Sequence, residues 1–590
     1  MELTTFSKNI PISSFFTGVL ETSSAQPPPL SLQVPTKLSK RSLYIPKILP
    51  FTHTNISLLG SWPQRLLHVP TMTSYSWEPG NKYRDQISPA YRAISYTWGR
   101  YRLRPNERPE VNPIGIQNVE WDIPRINPNH FTAEEMLMVL QIDGQWEWVW
   151  LDIACIDQRW GPVAALEVGR QAQIFERAEK VTAWLSRTGG EEASFQCVYD
   201  MFNTLAQEEL PVALKSWDTG KHETVLRGLA EMLSDPWFSS LWTLQEAFLS
   251  TRAEILSKNG KVWTIQRLRG SGEFRPATLL FLTRVCGEVY ESSMSELQNT
   301  NGDSATQAFA FEWVNIMRER GLVAIMVQNP VGLLGAARFR TASEVEDRVY
   351  GIMQVFNYKL GSSRDPENFY GIEDLEDELG ERLLEDRPWE SQLHVFTKPV
   401  KRGKGWRINP TSAFRIPERF GGWSSDLYEG LVKLSSKDIC GTKFGFFEGN
   451  ACRLNDIRHT WRDCTVFQLM PDQSECFGDF EVADFQEWAL SESRDAEDIQ
   501  THAVRFTRVC DQIAERFKQN AVIILGLSRM APLLCGLVLI HVQCEGVMYW
   551  HRLGFCVWSH CKGSDSRTDR EFSLLDASSP EWDYVKGLYG

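Results

Sequence analysis

Three short segments of the chain combine side chains that could bind or transform a ligand. Each one places polar or charged residues directly beside large apolar ones. They are Ser95-Tyr96-Thr97-Trp98-Gly99, Asp152-Ile153-Ala154-Cys155-Ile156-Asp157-Gln158 and Trp242-Thr243-Leu244-Gln245-Glu246. Carboxylates can stabilise a developing cation, and indole rings can stack on a planar ligand. The three segments are therefore the first candidates for a functional site.

The periodicity around these segments predicts the elements that position them. Strand-like runs cover residues 66–69, 91–97, 145–153 and 181–185, and helical spacing covers 133–142 and 165–180. The order strand, helix, strand, helix, strand predicts an α/β fold with three layers and a mainly parallel sheet. Ligands bind at the carboxyl ends of strands in such sheets, and the first two segments lie at those ends. The third segment is predicted on a helix.

Composition and charge exclude several classes of protein. The 590 residues are 42% apolar and 23% charged, which is typical of globular proteins. The net charge of −13 argues against nucleic acid or an anionic membrane as a partner. No secretory signal or membrane span is predicted, and 12 cysteines are too few for a disulfide scaffold, so we expect a reduced, cytoplasmic protein. Cysteines 440, 452, 464 and 476, with His459, and the His and Cys residues of 535–561 lack close pairs, so no metal site is predicted.

The chain divides into four predicted regions. A disordered tail over residues 1–60 precedes an α/β domain over 65–255, a mostly helical region over 256–430 and a β-rich region over 431–590. Helices are expected at 310–320 and 345–356, a loop at 288–307, and strands at 444–447, 466–470, 521–527, 533–542 and 547–558. Residues 365–390 hold 11 acids and two arginines. Leu375, Leu379 and Leu383 share one side of a helix there, which predicts a packed helix with a solvated acidic face.

The three segments together resemble the fungal heterokaryon incompatibility (HET) domain, over about residues 65–250. The motif Ser-Tyr-x-Trp-Gly matches completely at residues 95–99. The second motif usually ends in Cys-Ile-Asn-Gln, and it matches at Asp152, Cys155, Ile156 and Gln158, with Asp157 in place of Asn. The third matches at Pro236, Trp237, Phe238, Trp242, Gln245 and Glu246. The family often has arginines at the positions of Asp235 and Ser240. Residues 346–351 resemble an Asp-Arg/Lys-x-Tyr segment that is common after the domain.

This resemblance implies an effector of fungal non-self recognition and programmed cell death. The HET domain has been likened to the Toll/interleukin-1 receptor (TIR) fold, in which enzymatic members cleave NAD. Many of them carry a Trp four residues before the catalytic Glu, and Trp242 and Glu246 have that spacing. Residues i and i+4 share one face of a helix, so both side chains can face one pocket. The resemblance thus implies that Glu246 is catalytic and that NAD is a possible substrate, with no cofactor required.

Each candidate has a role in that chemistry. A carboxylate at Glu246 could stabilise the oxocarbenium-like state of the ribose, and Trp98 or Trp242 could stack on a ring. Ser95 and Gly99 could let the backbone approach a phosphate. The remaining predicted binding residues are Tyr96, Asp152, Cys155, Asp157, Gln158 and Gln245. The chain has no complete GxGxxG or P-loop, so hydride transfer and ATP hydrolysis lack support.

The same residues also have purely structural interpretations. Trp98, Trp150 and Trp242 could be core aromatics, and Glu246 could lie on a helix surface. Asp152 could cap a turn, Cys155 could be a buried thiol, and Asp157 and Gln158 could fix a loop.

A second class of function fits the same motifs. In it the domain is a non-catalytic signalling module that self-associates and acts through an unknown protein partner. The two hypotheses differ in geometry. The catalytic one requires Ser95, Trp98, Asp152 and Glu246 to converge on one cleft, whereas the other does not.

Overall fold

The structure, a computed structural model, describes most of the chain from residue 59 onwards. The described residues are 59–413, without 143, 160, 209–211, 267–273, 299–302, 321, 323–324, 326–328 and 402, and then 429–454, 467–471, 522–530, 533–544, 546–559 and 582–590. Residues 1–58 of the predicted tail lie outside the described residues. Within the described part, no helix is long and apolar enough to cross a membrane.

The N-terminal region is built on a six-stranded mixed sheet. Its strands are β1 Arg65–His68, β2 Thr73–Ser76, β5 Arg92–Ser95, β6 Trp148–Trp150, β7 Lys180–Trp184 and β8 Glu254–Leu256. Two hairpins lie outside it, β3 Lys82–Tyr83 with β4 Gln86–Ile87 and β9 Thr264–Gln266 with β10 Phe274–Pro276. Strands β6, β5, β7 and β8 are parallel neighbours, whereas β1 runs antiparallel to β6 and β2. The predicted α/β class is confirmed, and its sheet is parallel only across these four strands.

The order of the parallel strands creates a topological switch point. Their order in the chain is β5, β6, β7, β8, but their order in space is β6-β5-β7-β8. The connections after the neighbouring strands β5 and β7 therefore leave in opposite directions, one toward β6 and the other toward β8. In doubly wound sheets such a switch point opens a crevice at the carboxyl ends of the two strands, here β5 and β7.

Helices cover both faces of this sheet. They are α1 Ala133–Gln141, α2 Asp152–Cys155, α3 Pro162–Val168, α4 Gln171–Arg177, α5 Glu192–Ala206, α6 Thr219–Leu233 and α7 Leu241–Leu249. Successive residues of β7 point to opposite faces. Trp184 packs on Phe131 and the buried side of α1, while Ala183 and Leu185 join the core formed with α5, α6 and α7. The three layers follow from this alternation.

The single helix predicted over 165–180 is in fact two helices. α3 ends at Gly169, where a Cβ atom would lie only 2.8 Å from the Cβ of Ser363. Arg170 then turns inward and pairs with Glu167 at 3.0 Å, with both side chains almost fully buried. The prediction of one helix was wrong because helical spacing does not reveal this tertiary contact.

The middle region is mostly helical. It contains α8 Leu279–Gln298, α9 Ser304–Glu319, α10 Pro330–Ala336, α11 Asp347–Tyr350 and α12 Ile372–Asp386, with the short strands β11 Val395–Phe396 and β12 Ser412–Ala413. The helix predicted at 310–320 is confirmed by α9, and the one at 345–356 is α11 followed by a 3₁₀ turn, Met353–Phe356. The loop predicted at 288–307 was wrong up to residue 298, which lies in α8, and again from residue 304, where α9 begins. Buried Val289, Tyr290 and Ser293 give α8 an inward face there despite its many polar residues.

Helix α12 confirms the prediction of a packed helix within residues 365–390. Leu375, Leu379 and Leu383 are buried in the core shared with α5, α6 and α7. Its acidic face is covered more than a solvated face would be, since four basic residues that follow the helix in the chain reach it. The ion pairs are Glu373–Lys401, Glu376–Arg407, Asp377–Lys404, Asp377–Arg407 and Glu381–Lys443.

The C-terminal region is β-rich, as predicted. Its strands are β13 Glu429–Gly430, β14 Val432–Ile439, β15 Thr442–Arg453, β16 Phe467–Pro471, β17 Val522–Met530, β18 Leu533–Cys544, β19 Val547–Ser559 and β20 Asp583–Tyr589. Strands β15, β17, β18, β19 and β20 pair in a closed ring of five. Phe447, Leu525, Leu537, Phe555 and Tyr589 are fully buried in its core. All five strands predicted here are confirmed.

Candidate functional site

Glu246 is joined to the end of strand β5 by a hydrogen-bond chain. The Ser95 hydroxyl donates to Glu246 Oε2 at 2.5 Å and accepts from the indole Nε1 of Trp237 at 2.8 Å. Ser95 is the last residue of β5, Trp237 lies in the 3₁₀ turn Pro236–Ser239, and Glu246 lies on α7. Ser95 and Trp237 are buried, whereas Glu246 is half-buried. The strand end thus holds one carboxylate oxygen of Glu246 at the crevice.

Asp152 is held beside the same strand by three donors. The Tyr96 hydroxyl donates to Oδ1 and the Trp98 indole to Oδ2, each at 2.5 Å, and the backbone N–H of Ile153 donates to Oδ1 at 2.7 Å. All three partners donate, so the geometry suits the ionised carboxylate. Asp152 and Trp98 are half-buried and Tyr96 is buried. The first and second motifs therefore meet at this side chain.

The two carboxylates differ in their electrostatic surroundings. Burial raises the pKa of Glu246 to about 8, the hydroxyl of Ser95 offsets part of that shift, and the charge of Asp152 adds to it. Burial also raises the pKa of Asp152, while the bonds from Tyr96 and Trp98 lower it. Among the described residues, no Lys or Arg forms an ion pair with either carboxylate. The pKa of Glu246 thus lies above the usual range of a carboxyl group, and a carboxyl group whose pKa is raised by burial beside a second carboxylate is typical of functional sites.

Two indoles border the carboxylates. Trp98 is fixed by its bond to Asp152. Trp242 is half-buried and packs against the cores on both sides of the sheet. Burial raises the pKa of Asp347 on α11 to about 6, and the indole N–H of Trp242 offsets part of this shift. Trp98 is thus oriented by a carboxylate, and Ser95, Trp98, Asp152 and Glu246 converge at the carboxyl end of β5, while Trp242 lies one helical turn before Glu246 on α7.

Other predicted residues support the site without facing it. Cys155 is buried in the core, and burial raises the pKa of its thiol to about 12, so it is not a nucleophile at neutral pH. Asp157 pairs with Arg159 at 2.6 Å, and the hydrogen bonds from Arg159 lower its pKa. The amide of Gln158 donates to the carbonyls of Asp152 and Ile156 and so fixes the loop.

Gln245 and Gly99 also have defined places. Gln245 is fully buried, and its Oε1 accepts from the backbone N–H of Gln354 at 3.2 Å. Gly99 is exposed and begins the 3₁₀ turn Gly99–Tyr101 directly after Trp98. Gln245 thus anchors α7, while Gly99 lies at the surface of the crevice.

Asp235 and Ser240, which stand where the family often has arginines, both have structural roles. The Asp235 carboxylate is buried and accepts from the backbone N–H groups of Trp237, Arg187 and Thr188 at 2.8–3.1 Å. Ser240 is the N-cap of α7. Two arginines from elsewhere reach this turn. Arg100 donates to the carbonyl of Pro236 and the hydroxyl of Ser239, and buried Arg340 donates to the carbonyls of Trp237 and Ser240.

Sequence reasoning missed two neighbours of the site. His130 is buried between the ends of β5 and β7, with Nε2 2.6 Å from the Thr97 carbonyl and 3.2 Å from the Ser186 hydroxyl. Its ring stacks on Tyr101 at 3.6 Å. In the sequence, Asp347 stands out only as part of the downstream motif at residues 346–351. A lone histidine in a polar loop carries no local signal, whereas the Asp347 motif could have pointed to a contact with the domain.

Metal binding receives no support from the described residues. In that part of the chain, no group of three or more His, Cys, Asp or Glu side chains could hold a metal ion. Of the cysteine series noted above, Cys464, Cys476 and His459 lie outside the described residues.

The comparisons with known proteins agree with the motifs. Residues 91–246 match the family model described as Heterokaryon incompatibility protein (HET). The match begins one residue before β5 and ends at Glu246, so it contains all three segments. No curated protein and no solved structure matched the chain. Residues 91–246, which bring Ser95, Asp152 and Glu246 to one crevice, therefore form a heterokaryon incompatibility (HET) domain.

Proposed function

We propose that this protein is a cytoplasmic effector of non-self recognition and programmed cell death whose HET domain binds and hydrolyses NAD in a TIR-like manner. The family match to residues 91–246 supports the first part. The second part rests on one observation, the convergence of two half-buried carboxylates and the half-buried indole of Trp98 at the switch point of a doubly wound sheet. The spatial order of the four parallel strands supports the likeness to TIR domains at the level of fold.

The geometry suits cleavage of the bond between nicotinamide and ribose. The bonding electron pair leaves with the nicotinamide nitrogen, which neutralises the pyridinium, and water attacks the anomeric carbon. The proton of that water passes to a carboxylate. Glu246 can fill this role, because a cationic pyridinium nearby lowers the pKa of the carboxyl group and favours its ionised form. Asp152, held by three donors, adds a second negative charge that stabilises the oxocarbenium-like state.

The aromatic and backbone groups complete the binding site in this proposal. Trp98 and Trp242 offer ring faces for stacking on the nicotinamide or the adenine. Ser95 fixes Glu246 through its 2.5 Å hydrogen bond. The exposed Gly99 leaves the backbone of the turn accessible to a phosphate.

The experiment is a nicotinamide-release assay on the purified protein, both monomeric and oligomerised. Wild type should release nicotinamide from NAD, and Glu246→Gln should lower kcat by about 10²–10³-fold, since it removes a charge aimed at the transition state. The matched control is Glu192→Gln, which changes an exposed glutamate at the start of α5 and should keep full activity. Equal inertness of wild type and Glu246→Gln, with both folded, would refute hydrolysis.

A non-catalytic signalling module is the second candidate. It is favoured by Phe339 and Val345, which are 39% and 54% exposed in a segment where Ser343 lies beside Gly99. Exposed apolar side chains at a domain surface suit self-association. A toxicity assay separates the two functions. Glu246→Gln should abolish killing if the domain is an enzyme and leave it intact if the domain only self-associates, whereas Val345→Asp should do the reverse.

A further inference from the structure

Two arginines stand at the carboxyl ends of the strands that flank the crevice. Arg100 lies five residues after the end of β5, and Arg187 lies three residues after the end of β7. The pKa of His130 is lowered to about 4, mainly by burial and in part by the charges of Arg100, Arg187 and Lys258. Both guanidinium groups therefore lie near the imidazole that fills the space between the two strand ends.

Both arginines are fastened to the turn that precedes the helix carrying Glu246. Asp235 accepts from the backbone N–H of Arg187 at 2.8 Å and from that of Trp237 at 2.9 Å. The guanidinium of Arg100 donates to the carbonyl of Pro236 at 2.7 Å and to the hydroxyl of Ser239 at 2.8 Å. The guanidinium of Arg100 and the backbone of Arg187 are thus both held at the turn that precedes α7.

Neither cation is neutralised by a carboxylate in the described part of the chain. Lys258, the third cation near His130, pairs with Glu135 at 3.3 Å. Arg187 is exposed, and its guanidinium has no hydrogen-bond or ion-pair partner among the described residues. The bonds of Arg100 go to Thr341, Pro236 and Ser239, which are neutral acceptors, and they leave part of its five N–H donors unused.

The charges at this crevice are therefore separated by sign. Two carboxylates without basic partners, Asp152 and Glu246, lie inside, and two guanidinium groups without acidic partners lie at the edge. A ligand that satisfies both sets carries an anionic group several atoms away from a sugar or a cationic ring. Guanidinium groups bind phosphates through charge-assisted, forked hydrogen bonds.

We propose that Arg187 and Arg100 form a phosphate-binding edge of the crevice, so that the ligand is a phosphorylated nucleotide with its pyrophosphate at the arginines and its ribose at Asp152 and Glu246. This inference rests on the proposed function for the reaction, but it specifies which part of the substrate supplies affinity. It also explains how a chain with Asp235 and Ser240 at the arginine positions of the family keeps positive charge beside the third motif.

The test compares two substrates that differ in their phosphates. NAD carries the pyrophosphate, whereas nicotinamide riboside has the same scissile bond and no phosphate. Arg187→Gln should raise KM for NAD about tenfold, the effect of losing one charge-assisted contact, and leave KM for nicotinamide riboside unchanged. Arg227→Gln, an exposed arginine on α6, is the matched control and should change neither. An unchanged KM for NAD in Arg187→Gln would overturn the proposal.

A direct binding measurement separates this proposal from the proposed hydrolysis. Titration of full-length protein with ADP-ribose needs no catalysis. If wild type cleaves neither substrate yet binds ADP-ribose about ten times more tightly than Arg187→Gln, hydrolysis is wrong and the phosphate edge stands. Equal binding by the two proteins, or no binding by wild type, overturns the phosphate edge whatever the hydrolysis assay shows.

Discussion

The acidic residues of the crevice and those of helix α12 show two uses of the same side chain. On α12, Glu376 and Asp377 face Arg407 and Lys404, so their charges are matched by cations that lie about 30 residues further along the chain. In the crevice, Asp152 and Glu246 receive only hydroxyl, indole and backbone donors. Matched charges connect two parts of a fold. Unmatched charges, held in place by neutral donors, remain available to a ligand.

Breaking the best-matched pairs on α12 should have the largest effect on stability. Arg407 is 5% exposed, and Arg407→Met would leave Glu376 and Asp377 without their main cation. We expect a loss of about 3–5 kcal/mol of unfolding free energy, measured by urea denaturation. Lys401→Met, at a lysine that is 68% exposed, is the control and should cost less than about 1 kcal/mol. Equal effects of the two substitutions would contradict the comparison.

Removing the unmatched charge of Glu246 in the crevice should change the unfolding free energy in the opposite direction, toward higher stability. The pKa of Glu246 is raised to about 8 in the fold, so between pH 4.5 and 8 the unfolded chain releases a proton that the folded chain retains. Stability therefore falls as pH rises through this window. Glu246→Gln should be more stable than wild type by about 1–3 kcal/mol at pH 8.5 and equally stable at pH 4. Urea midpoints at the two pH values measure this.

Glu373 supplies the matched control for that experiment. Its hydrogen bond with Lys401 lowers its pKa, so its contribution is present above the unfolded pKa and is lost as pH falls. Glu373→Gln should therefore lower stability slightly at pH 8.5 and change nothing at pH 3. A gain of stability in Glu373→Gln, or a loss in Glu246→Gln at pH 8.5, would contradict the assignment.

Replacing Asp347, the carboxyl group next to Trp242, should have a smaller effect, and this effect should be on activity. If the domain cleaves NAD, Asp347→Asn should lower kcat/KM about five- to tenfold, roughly 1 kcal/mol, because it loosens the indole. The pKa of Asp347 is about 6, so wild-type activity should also decline as pH falls below 6. Asp347→Asn should lack that decline, a change that general destabilisation would not produce. Glu346→Gln, one residue earlier, should retain the wild-type pH profile.

The smallest expected effect is the change in the coupling energy of an exposed ion pair when salt is added. A double-mutant cycle on the Glu373–Lys401 pair should yield a coupling of about 0.2–1 kcal/mol at low salt that disappears in 0.5 M NaCl. The same cycle on the buried pair Glu167–Arg170 should keep its coupling, since water and ions do not reach it. Equal salt sensitivity of the two pairs would contradict this difference in burial.

Local patterns predicted much of the fold. Alternation and apolar runs located the strands that became β5, β7, β15 and β18, because side-chain period follows directly from backbone geometry. The same reasoning failed at α8, where the Ser and Glu residues of its second half obscured a helix. It also failed at Gly169, since contact with Ser363 is not encoded in helical spacing. The domain boundaries predicted at residues 255 and 430 stay predictions.

For the site, too, the sequence predicted some features and missed others. Motif spacing placed Trp242 and Glu246 on one helix and Asp152 at a strand end. It did not show that Ser95 bonds Glu246 across 151 residues or that Asp347 lies behind Trp242. Cys155 satisfies the family motif, yet it faces the core. A motif selects residue types, while their orientation depends on which strands become neighbours.

By itself, the sequence determined the identity and local spacing of the reactive side chains and the periodicity of the elements that carry them. Tertiary structure decided the rest. The strand order β6-β5-β7-β8 opened the crevice, and burial away from any basic partner raised the pKa of Glu246. Short-range geometry is set by neighbours in the chain. A shifted pKa, in contrast, depends on solvent exclusion and on charges that only folding brings together.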